Sequence, residues 1–128
     1  MQRVLVTAGA SGIGYALAEA FYAEGYKVWI IDVSENDLKK CPTNWEQTKL
    51  DVSDENAMGD LFSTINIKWG GLDVLCANAG TAGATELIED QDLLAFRKCL
   101  DVNLIGAFLS VKGCLPMMKK QGKGAIIF

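Results

Sequence analysis

The stretch Thr7-Ala8-Gly9-Ala10-Ser11-Gly12-Ile13-Gly14 joins a predicted strand to a predicted helix. The apolar run before it predicts a short buried strand over Arg3–Thr7, and the pattern after it predicts a helix over Tyr15–Glu24. A glycine-rich turn of this kind directs free backbone N–H groups and the positive end of the helix dipole at one point. A phosphate or pyrophosphate is the usual ligand there, although such a turn alone is also compatible with a purely structural role.

The rest of the chain alternates between strand and helix patterns. The sequence predicts, in order, a strand over 27–32, a short helix from Ser34 to 40, a strand over 45–50, a helix from Ser53 or Asp54 to about 68, a strand over 72–77, a loop over 78–89, a helix over 90–121 and a strand over 125–128. This order indicates an α/β fold with a doubly wound parallel sheet of strand order 3-2-1-4-5. We expect the first two helices on opposite faces, and a ligand crevice at the carboxyl ends of strands one and four.

Length and composition limit the classes of function. The 128 residues correspond to one domain, residues 1–128, and half of them are hydrophobic, so a core can form. A net charge of −4 argues against a nucleic-acid partner. Because the first strand begins next to Met1 and the apolar run 104–111 is too short to cross a bilayer, we expect a cytoplasmic protein without a membrane segment.

Histidine is absent, and this excludes triad hydrolases and histidine-based zinc sites. The four cysteines show no C-x-x-C spacing. We therefore interpret them as small buried hydrophobic residues rather than metal ligands or nucleophiles, and we expect no metal site.

Two acidic positions follow predicted strands. Asp32 ends the second strand, twenty residues after Gly12, where a carboxylate can accept both hydroxyls of an adenosine ribose and repel a 2′-phosphate. This favours NAD over NADP, although Asp32 could instead only cap the following turn. Asp51 and Val52 follow the third strand, where Asp51 could accept from an adenine amine and Val52 could pack on the ring, or Asp51 could be a plain turn residue.

Three small or polar residues follow the fourth strand. The Asn78 amide could tie neighbouring strands together, while Ala79 and Gly80 leave room for a flat ligand.

Asn103 is a polar residue within an apolar helical stretch, and chemistry alone favours a satisfied buried amide.

These features together resemble the short-chain dehydrogenases/reductases, which are NAD(P)-dependent oxidoreductases with a Rossmann-like fold. The resemblance extends from Arg3 to Phe128 and rests on residues 7–14, 32, 51–52, 77–80 and 102–106. It implies that Thr7, Gly9, Ser11, Gly12, Ile13 and Gly14 form the pyrophosphate turn, that Asp32 contacts the ribose and Asp51 and Val52 the adenine, and that Asn78, Ala79 and Gly80 lie near the nicotinamide ribose. It also implies that the backbone carbonyl of Asn103 holds a water in a proton relay.

The sequence departs from the family pattern in two places within these motifs. Ala8 replaces the first glycine of T-G-x-x-x-G-x-G, so we expect a negative φ and a slightly wider turn there. Ala77 replaces the first asparagine of N-N-A-G.

The family's catalytic serine and Tyr-x-x-x-Lys are not among the 128 residues, whose only tyrosines are Tyr15, Tyr22 and Tyr26. We therefore expect the cofactor-binding part of an NAD-dependent dehydrogenase or carbonyl reductase, apparently truncated after the fifth strand and inactive alone. The alternatives are a non-catalytic dinucleotide-binding module or truncated assembly partner, and a flavodoxin-like domain, against which Asp32 argues. The resemblance also implies a small alcohol or carbonyl substrate, and a homodimer or homotetramer that packs through the helix 90–121.

Overall fold

The computed structural model describes all 128 residues. Its strands are β1 (Arg3–Thr7), β2 (Lys27–Asp32), β3 (Glu46–Lys49), β4 (Val74–Cys76) and β5 (Ala125–Ile127). Its helices are α1 (Gly12–Ala23), α2 (Glu35–Leu38), α3 (Glu55–Trp69), α4 (Leu93–Leu100) and α5 (Gly106–Gln121), with a 3₁₀ turn at Ile88–Asp90 and a π-helical turn at Asp101–Ile105.

All five strands lie in one parallel sheet of order β3-β2-β1-β4-β5. The predicted strand order and fold class are thus confirmed. The central strand β1 pairs with β2 from Arg3↔Lys27 to Thr7↔Ile31 and with β4 from Val4↔Val74 to Val6↔Cys76. This register brings the carboxyl ends of β1, β2 and β4 to the same edge of the sheet, which we call the carboxyl edge.

The prediction that the first two helices lie on opposite faces is wrong. Leu38 of α2 packs in the same buried cluster as Ala18 of α1, whereas Ile65 of α3 and Leu109 of α5 lie in the cluster on the other face. The cause is the handedness of the crossovers. The steps β1 to β2 and β2 to β3 run in one direction across the sheet, so right-handed crossovers place α1 and α2 on one face, and the reversed step to β4 moves α3 to the other.

The helices α3 and α5 approach each other closely. A Cβ atom built on Gly113 would overlap the Phe62 ring, and one built on Gly106 would lie 2.5 Å from the Val52 side chain. Glycine at these two positions therefore lets α5 lie directly against α3 and against the end of β3.

The predicted helix 90–121 is continuous only from Leu93 onward, after the Asp92 carboxylate accepts from the Ala95 amide at 3.0 Å as an N-cap. A proline inside a helix commonly bends or interrupts it, but α5 continues past Pro116 to Gln121. The interruption lies instead at the π-helical turn, where the Gly106 amide donates to the Asp101 carbonyl.

The length of this helix corrects one expectation about membranes. Leu93–Gln121 forms a helix of 29 residues that is long and apolar enough to cross a membrane by length and composition alone. The expectation considered only the apolar run 104–111, which is much shorter than the helix that the structure forms. Its second half nevertheless packs on the sheet, where Cys114, Met117 and Met118 are buried.

A polar cluster joins the elements at the amino edge of the sheet, opposite the carboxyl edge. Arg3 forms an ion pair of 2.7 Å with the buried Asp73 and donates to the Trp69 carbonyl. Gln121 accepts from the Leu72 amide at 3.0 Å and donates to the Leu72 carbonyl at 2.9 Å. The ends of α3 and α5 are thereby tied to the starts of β1 and β4.

Candidate active site

The glycine-rich turn leaves the first amides of α1 without protein partners. The Ser11 side chain forms no capping hydrogen bond, and the amides of Gly12, Ile13 and Gly14 donate to no acceptor in the chain. Gly12 has a φ of 55°, and a Cβ atom on it would meet nothing within 4 Å. Free N–H groups, open space and the positive end of a helix dipole are together suited to binding an anion.

Ala8 was predicted to have a negative φ, and this is wrong. Its φ is 50°, and it is the chain's only non-glycine residue with a positive φ. Left-handed backbone costs an alanine roughly 1–2 kcal/mol, because the Cβ atom crowds the following carbonyl oxygen. The turn therefore keeps the path that a glycine would take there, at a local cost in energy.

Thr7 and Asn78 hold the turn against the end of β4. The Thr7 hydroxyl accepts from the Ala79 amide at 2.8 Å, and the Asn78 side-chain amide donates to the Thr7 carbonyl at 3.1 Å. A Cβ atom on Gly14 would collide with the Ala8 carbonyl and the Asn78 amide. The predicted tie by Asn78 is therefore present, and Gly14 is needed for this close approach.

A cleft of about 580 Å³ lies along the carboxyl edge of the sheet. One wall comes from the ends of β1, β2 and β3, and the other comes from the loop after β4 and from α4. The cleft is lined by Ala8, Ile31, Asp32, Val33, Leu50, Asp51, Val52, Ala79, Gly80, Thr81, Gly83, Ala84, Ala95, Lys98, Cys99 and Val102.

Asp32 lies at the cleft wall with only 9% of its surface exposed. Its Oδ2 atom accepts from the Ala10 amide at 3.2 Å, and its Oδ1 atom accepts from the Ser34 amide at 3.0 Å. No lysine or arginine forms an ion pair with it. The partners of its carboxylate are therefore backbone amides. Asp32 both caps the following turn and lines the cleft, so the two interpretations of this residue are compatible.

Asp51 lies at the cleft but is engaged in its own turn. Its Oδ1 atom accepts from the Ser53 amide at 2.9 Å and from the Ser53 hydroxyl at 2.7 Å. These two bonds, with a smaller contribution from the charge of Lys98, lower the pKa of Asp51. Val52 is buried beside Gly106 and presents an apolar surface to the cleft.

Asn103 lies in the π-helical turn, and its side chain forms hydrogen bonds with the loop after β4. Its Oδ1 atom accepts from the Thr81 amide at 2.7 Å, and its Nδ2 atom donates to the Thr81 carbonyl at 2.8 Å and to the Cys99 sulfur at 3.2 Å. The amide is satisfied, as chemistry alone suggested, but it is exposed rather than buried. Asn103 therefore shapes the loop that forms one cleft wall.

The predicted residues divide into those that line the cleft and those that support it. Asp32, Asp51, Val52, Ala79 and Gly80 line it. Thr7, which is buried, and Asn78 and Asn103 support its walls through hydrogen bonds. Gly9 packs against β2, where a Cβ atom on it would come within 2.6 Å of Ile30. Ser11, Gly12 and Ile13 are exposed at the turn beside the cleft.

Sequence reasoning missed the wall formed by Ala95, Lys98 and Cys99 of α4 and by Val102 of the π-helical turn. These positions recur with spacings of three and four, so they lie on one helical face. That spacing was a signal that could have identified them.

Three of the four cysteines are buried as predicted, and all four are free thiols. Burial raises the pKa of Cys76 and of Cys114 to about 11, so both thiols stay protonated at neutral pH. Cys99 differs, because it is partly exposed and lines the cleft. The structure contains no group of three or more acidic or cysteine side chains able to hold a metal ion.

Comparison with known proteins identifies the family. A family profile described as short chain dehydrogenase matches residues 2–128. The chain is 37% identical over 129 residues to (+)-borneol dehydrogenase 1 of Salvia officinalis, covering 97% of this chain and 50% of that protein. It is 32% identical over 133 residues to levodione reductase of Leifsonia aquatica, covering 97% of this chain and 50% of that protein.

Solved structures agree with the sequence matches. A 3-ketoacyl-ACP reductase from Sinorhizobium meliloti 1021 superposes with a TM-score of 0.90 at 31% identity, covering 97% of this chain and 51% of that one. An NAD⁺-bound xylitol dehydrogenase superposes with a TM-score of 0.91 at 28% identity, covering 98% and 51%. The chain spans about half the length of these relatives. With its sheet order and carboxyl-edge cleft, the chain belongs to the short-chain dehydrogenase family of oxidoreductases.

Proposed function

We propose that this chain forms the cofactor-binding part of an NAD(H)-dependent oxidoreductase that acts on a small alcohol or carbonyl substrate. The observation that carries the proposal is the position of Asp32, a buried carboxylate on the wall of a cleft beside the unpartnered amides of α1. A bound nicotinamide dinucleotide would supply the hydride acceptor or donor.

The residues present suit each part of such a cofactor. The amides of Gly12, Ile13 and Gly14 would hold the diphosphate, and Asp32 would accept from the adenosine ribose. Asp51 and Val52 would border the adenine, and Asn78–Gly80 would lie near the nicotinamide ribose. These assignments follow the family pattern, and the open space at Gly12 and the cleft along the carboxyl edge support them.

The preference for NAD over NADP rests on charge. A 2′-phosphate placed beside Asp32 would meet a like charge, which costs several kcal/mol at close range. Lys98, the one cation that lines the cleft, acts on Asp51 and forms no ion pair with Asp32.

Fluorescence titration with NADH and NADPH tests the cofactor assignment. We expect NADH to bind more tightly, by about tenfold or more. In Asp32→Ala, the ratio of the two affinities should shift toward NADPH, because the repulsion is removed. Asp60→Ala, which removes an exposed carboxylate of α3, is the matched control and should leave the ratio unchanged. An unchanged ratio in Asp32→Ala would refute the ribose contact.

A second candidate is a non-catalytic dinucleotide-binding module. The 128 residues contain no Tyr-x-x-x-Lys sequence, and the unpartnered amides of α1 beside the cleft would bind a dinucleotide without it. We propose that these residues bind the cofactor but transfer no hydride, and an assay with alcohols and carbonyls alongside the titration tests this. If the coding sequence past the Phe128 codon contains a serine and Tyr-x-x-x-Lys, the enzyme interpretation gains support; a full-length product that binds NADH without turnover supports the module.

We also propose that the protein is cytoplasmic and forms a homodimer or homotetramer through the helix 93–121. The oligomer is supported by exposed apolar side chains on this helix: Leu93, Leu94, Phe96, Leu100, Leu104, Ile105 and Phe108. Sedimentation of the double variant Leu104→Lys and Phe108→Lys should show a smaller species than the wild type. Ile67→Lys, at a still more exposed apolar position on α3, should leave the oligomer unchanged.

A further inference from the structure

Asp32 contacts two backbone segments as well as the cleft. Its Oδ2 atom accepts from Ala10, 22 residues earlier, and its Oδ1 atom accepts from Ser34 at the start of the next turn. Ala10 is itself buried, with 7% of its surface exposed. The Ala10 amide has no other acceptor, so this contact is the one hydrogen bond that satisfies it.

Two further contacts lie near the Ala10 residue. The Cys41 thiol lies 3.7 Å from the Ala10 carbonyl oxygen and 3.4 Å from the Asp37 carbonyl oxygen, and its single hydrogen can be donated to either of them. The neighbouring Gly9 amide donates to the Ile31 carbonyl at 3.1 Å, which ties the start of the turn to β2. Between this tie and the free amides of Gly12–Gly14, the Asp32 carboxylate is the only charged group that contacts the turn backbone.

The geometry points to a second role for Asp32: besides binding the adenosine ribose, it is a positioning residue that holds the pyrophosphate-binding turn in place. A carboxylate has about four acceptor positions, and the two backbone bonds leave one on each oxygen for the two ribose hydroxyls. One side chain thus links the ribose and diphosphate subsites. This inference rests on the proposed function, since it concerns the same cofactor site.

The two roles predict different results with a ligand that lacks the adenosine hydroxyls. The probes are ADP-ribose and its analogue without the 2′ and 3′ hydroxyls of the adenosine ribose, measured by calorimetry on the full chain. If Asp32 served the ribose alone, Asp32→Ala would leave binding of the analogue unchanged or tighter. We expect it to weaken the analogue about tenfold, because a hydrogen bond to a charged group is lost from the turn.

Asp32→Asn provides the rescue. Its side-chain oxygen can still accept from Ala10, while its NH₂ group faces the Ser34 amide and cannot accept from it. We expect this variant to bind the analogue within about threefold of the wild type, between wild type and Asp32→Ala. Asp60→Ala should bind both probes as the wild type does.

Amide hydrogen exchange in the absence of ligand tests the anchor directly. In Asp32→Ala, exchange at Ala10 should accelerate far more than at Gly9, whose acceptor on Ile31 remains. Protection at Leu5 in the central strand reports whether the variant is folded. If Asp32→Ala does not fold, Asp32→Ser, whose side chain is too short to reach Ala10, replaces it in both measurements.

Unchanged analogue affinity or unchanged Ala10 exchange in a folded variant would overturn the positioning role while leaving the cofactor assignment intact. A wild-type chain that binds neither probe would instead overturn the proposed function, and with it this inference. The two failures are therefore distinguishable.

Discussion

Asn103 and Thr81 are joined by two hydrogen bonds, of 2.7 Å and 2.8 Å, between one side-chain amide and both polar groups of one peptide residue. The contact spans 22 residues and fixes the loop after β4 against the π-helical turn. Since Thr81 and Gly80 line the cleft, Asn103 determines the shape of one wall without lining it.

We therefore expect Asn103→Ala to loosen this loop. Amide exchange at Thr81 should accelerate, and affinity for NADH should fall by about three- to tenfold, because two hydrogen bonds of about 0.5–1.5 kcal/mol each are lost. Asn103→Asp keeps the acceptor for the Thr81 amide and should lie between the two. Asn66→Ala, which truncates an exposed asparagine on α3, is the control. Equal effects of both alanine variants would show that the hydrogen bonds of Asn103 do not hold the loop in place.

Ala8→Gly should stabilise the protein. The substitution removes the cost of roughly 1–2 kcal/mol that alanine has in the left-handed conformation. It adds an entropic cost of roughly 0.5–1 kcal/mol, because glycine loses more conformational freedom on folding. The free energy of unfolding, measured by urea denaturation, should rise by about 0.5–1 kcal/mol. Ala16→Gly on the exposed side of α1 should instead lower it by about 1 kcal/mol. A decrease in both variants would show that Ala8 is not strained.

Gly113→Ala should destabilise the protein, because the added methyl group overlaps the Phe62 ring. Overpacking of this kind costs about 1–3 kcal/mol. Gly59→Ala is the matched helical control, since a Cβ atom there meets nothing within 4 Å, and it should stabilise by about 0.5–1 kcal/mol. Urea denaturation of the pair separates packing from helix propensity, and the same sign for both would contradict the close approach of α3 and α5.

Asp73 should contribute to acid sensitivity. The hydrogen bond from Arg3 lowers the pKa of Asp73 below its ordinary value of 3.8. A carboxyl group whose pKa is lowered by folding stabilises the protein above its unfolded pKa, and this contribution is lost as the pH falls through the folded pKa. Asp73→Asn should therefore flatten the decrease in unfolding free energy below about pH 4, whereas Asp60→Asn should not. Parallel pH profiles for Asp73→Asn and the wild type would contradict this.

The strand order and the carboxyl-edge location of the site followed from the alternating pattern. Hydrophobic runs separated by helical segments specify a parallel sheet, and the turn at residues 7–14 marks its central strand. The faces of α1 and α2 did not follow from the pattern itself. They depend on the direction of each crossover, and applying the right-handed rule to the order 3-2-1-4-5 step by step would have placed both helices on one face.

Residue-level details were harder to predict where a neighbour from elsewhere in the chain decides them. A negative φ is the default for alanine, but the contacts of Asn78 with the Thr7 and Ala8 carbonyls hold the turn in the glycine-like path. The chain past Pro116 stays helical because Met117 and Met118 are buried in the core on the same stretch. Both outcomes depend on contacts that only the folded chain brings together.

The π-helical turn at Asp101–Ile105 has a consequence for any shortening of this helix. It holds one residue more than an α-helical turn, so deleting a residue there would let an unbroken α-helix form. Because the π-helical turn completes about one revolution with that extra residue, the deletion would leave α4 and α5 in nearly the same rotational alignment. Deleting a residue from a regular part of the helix would instead rotate α4 by about 100° relative to α5, which is anchored on the sheet. In that second case Lys98 and Cys99 would turn away from the cleft, and the cleft would lose the wall formed by α4 while the sheet stayed intact.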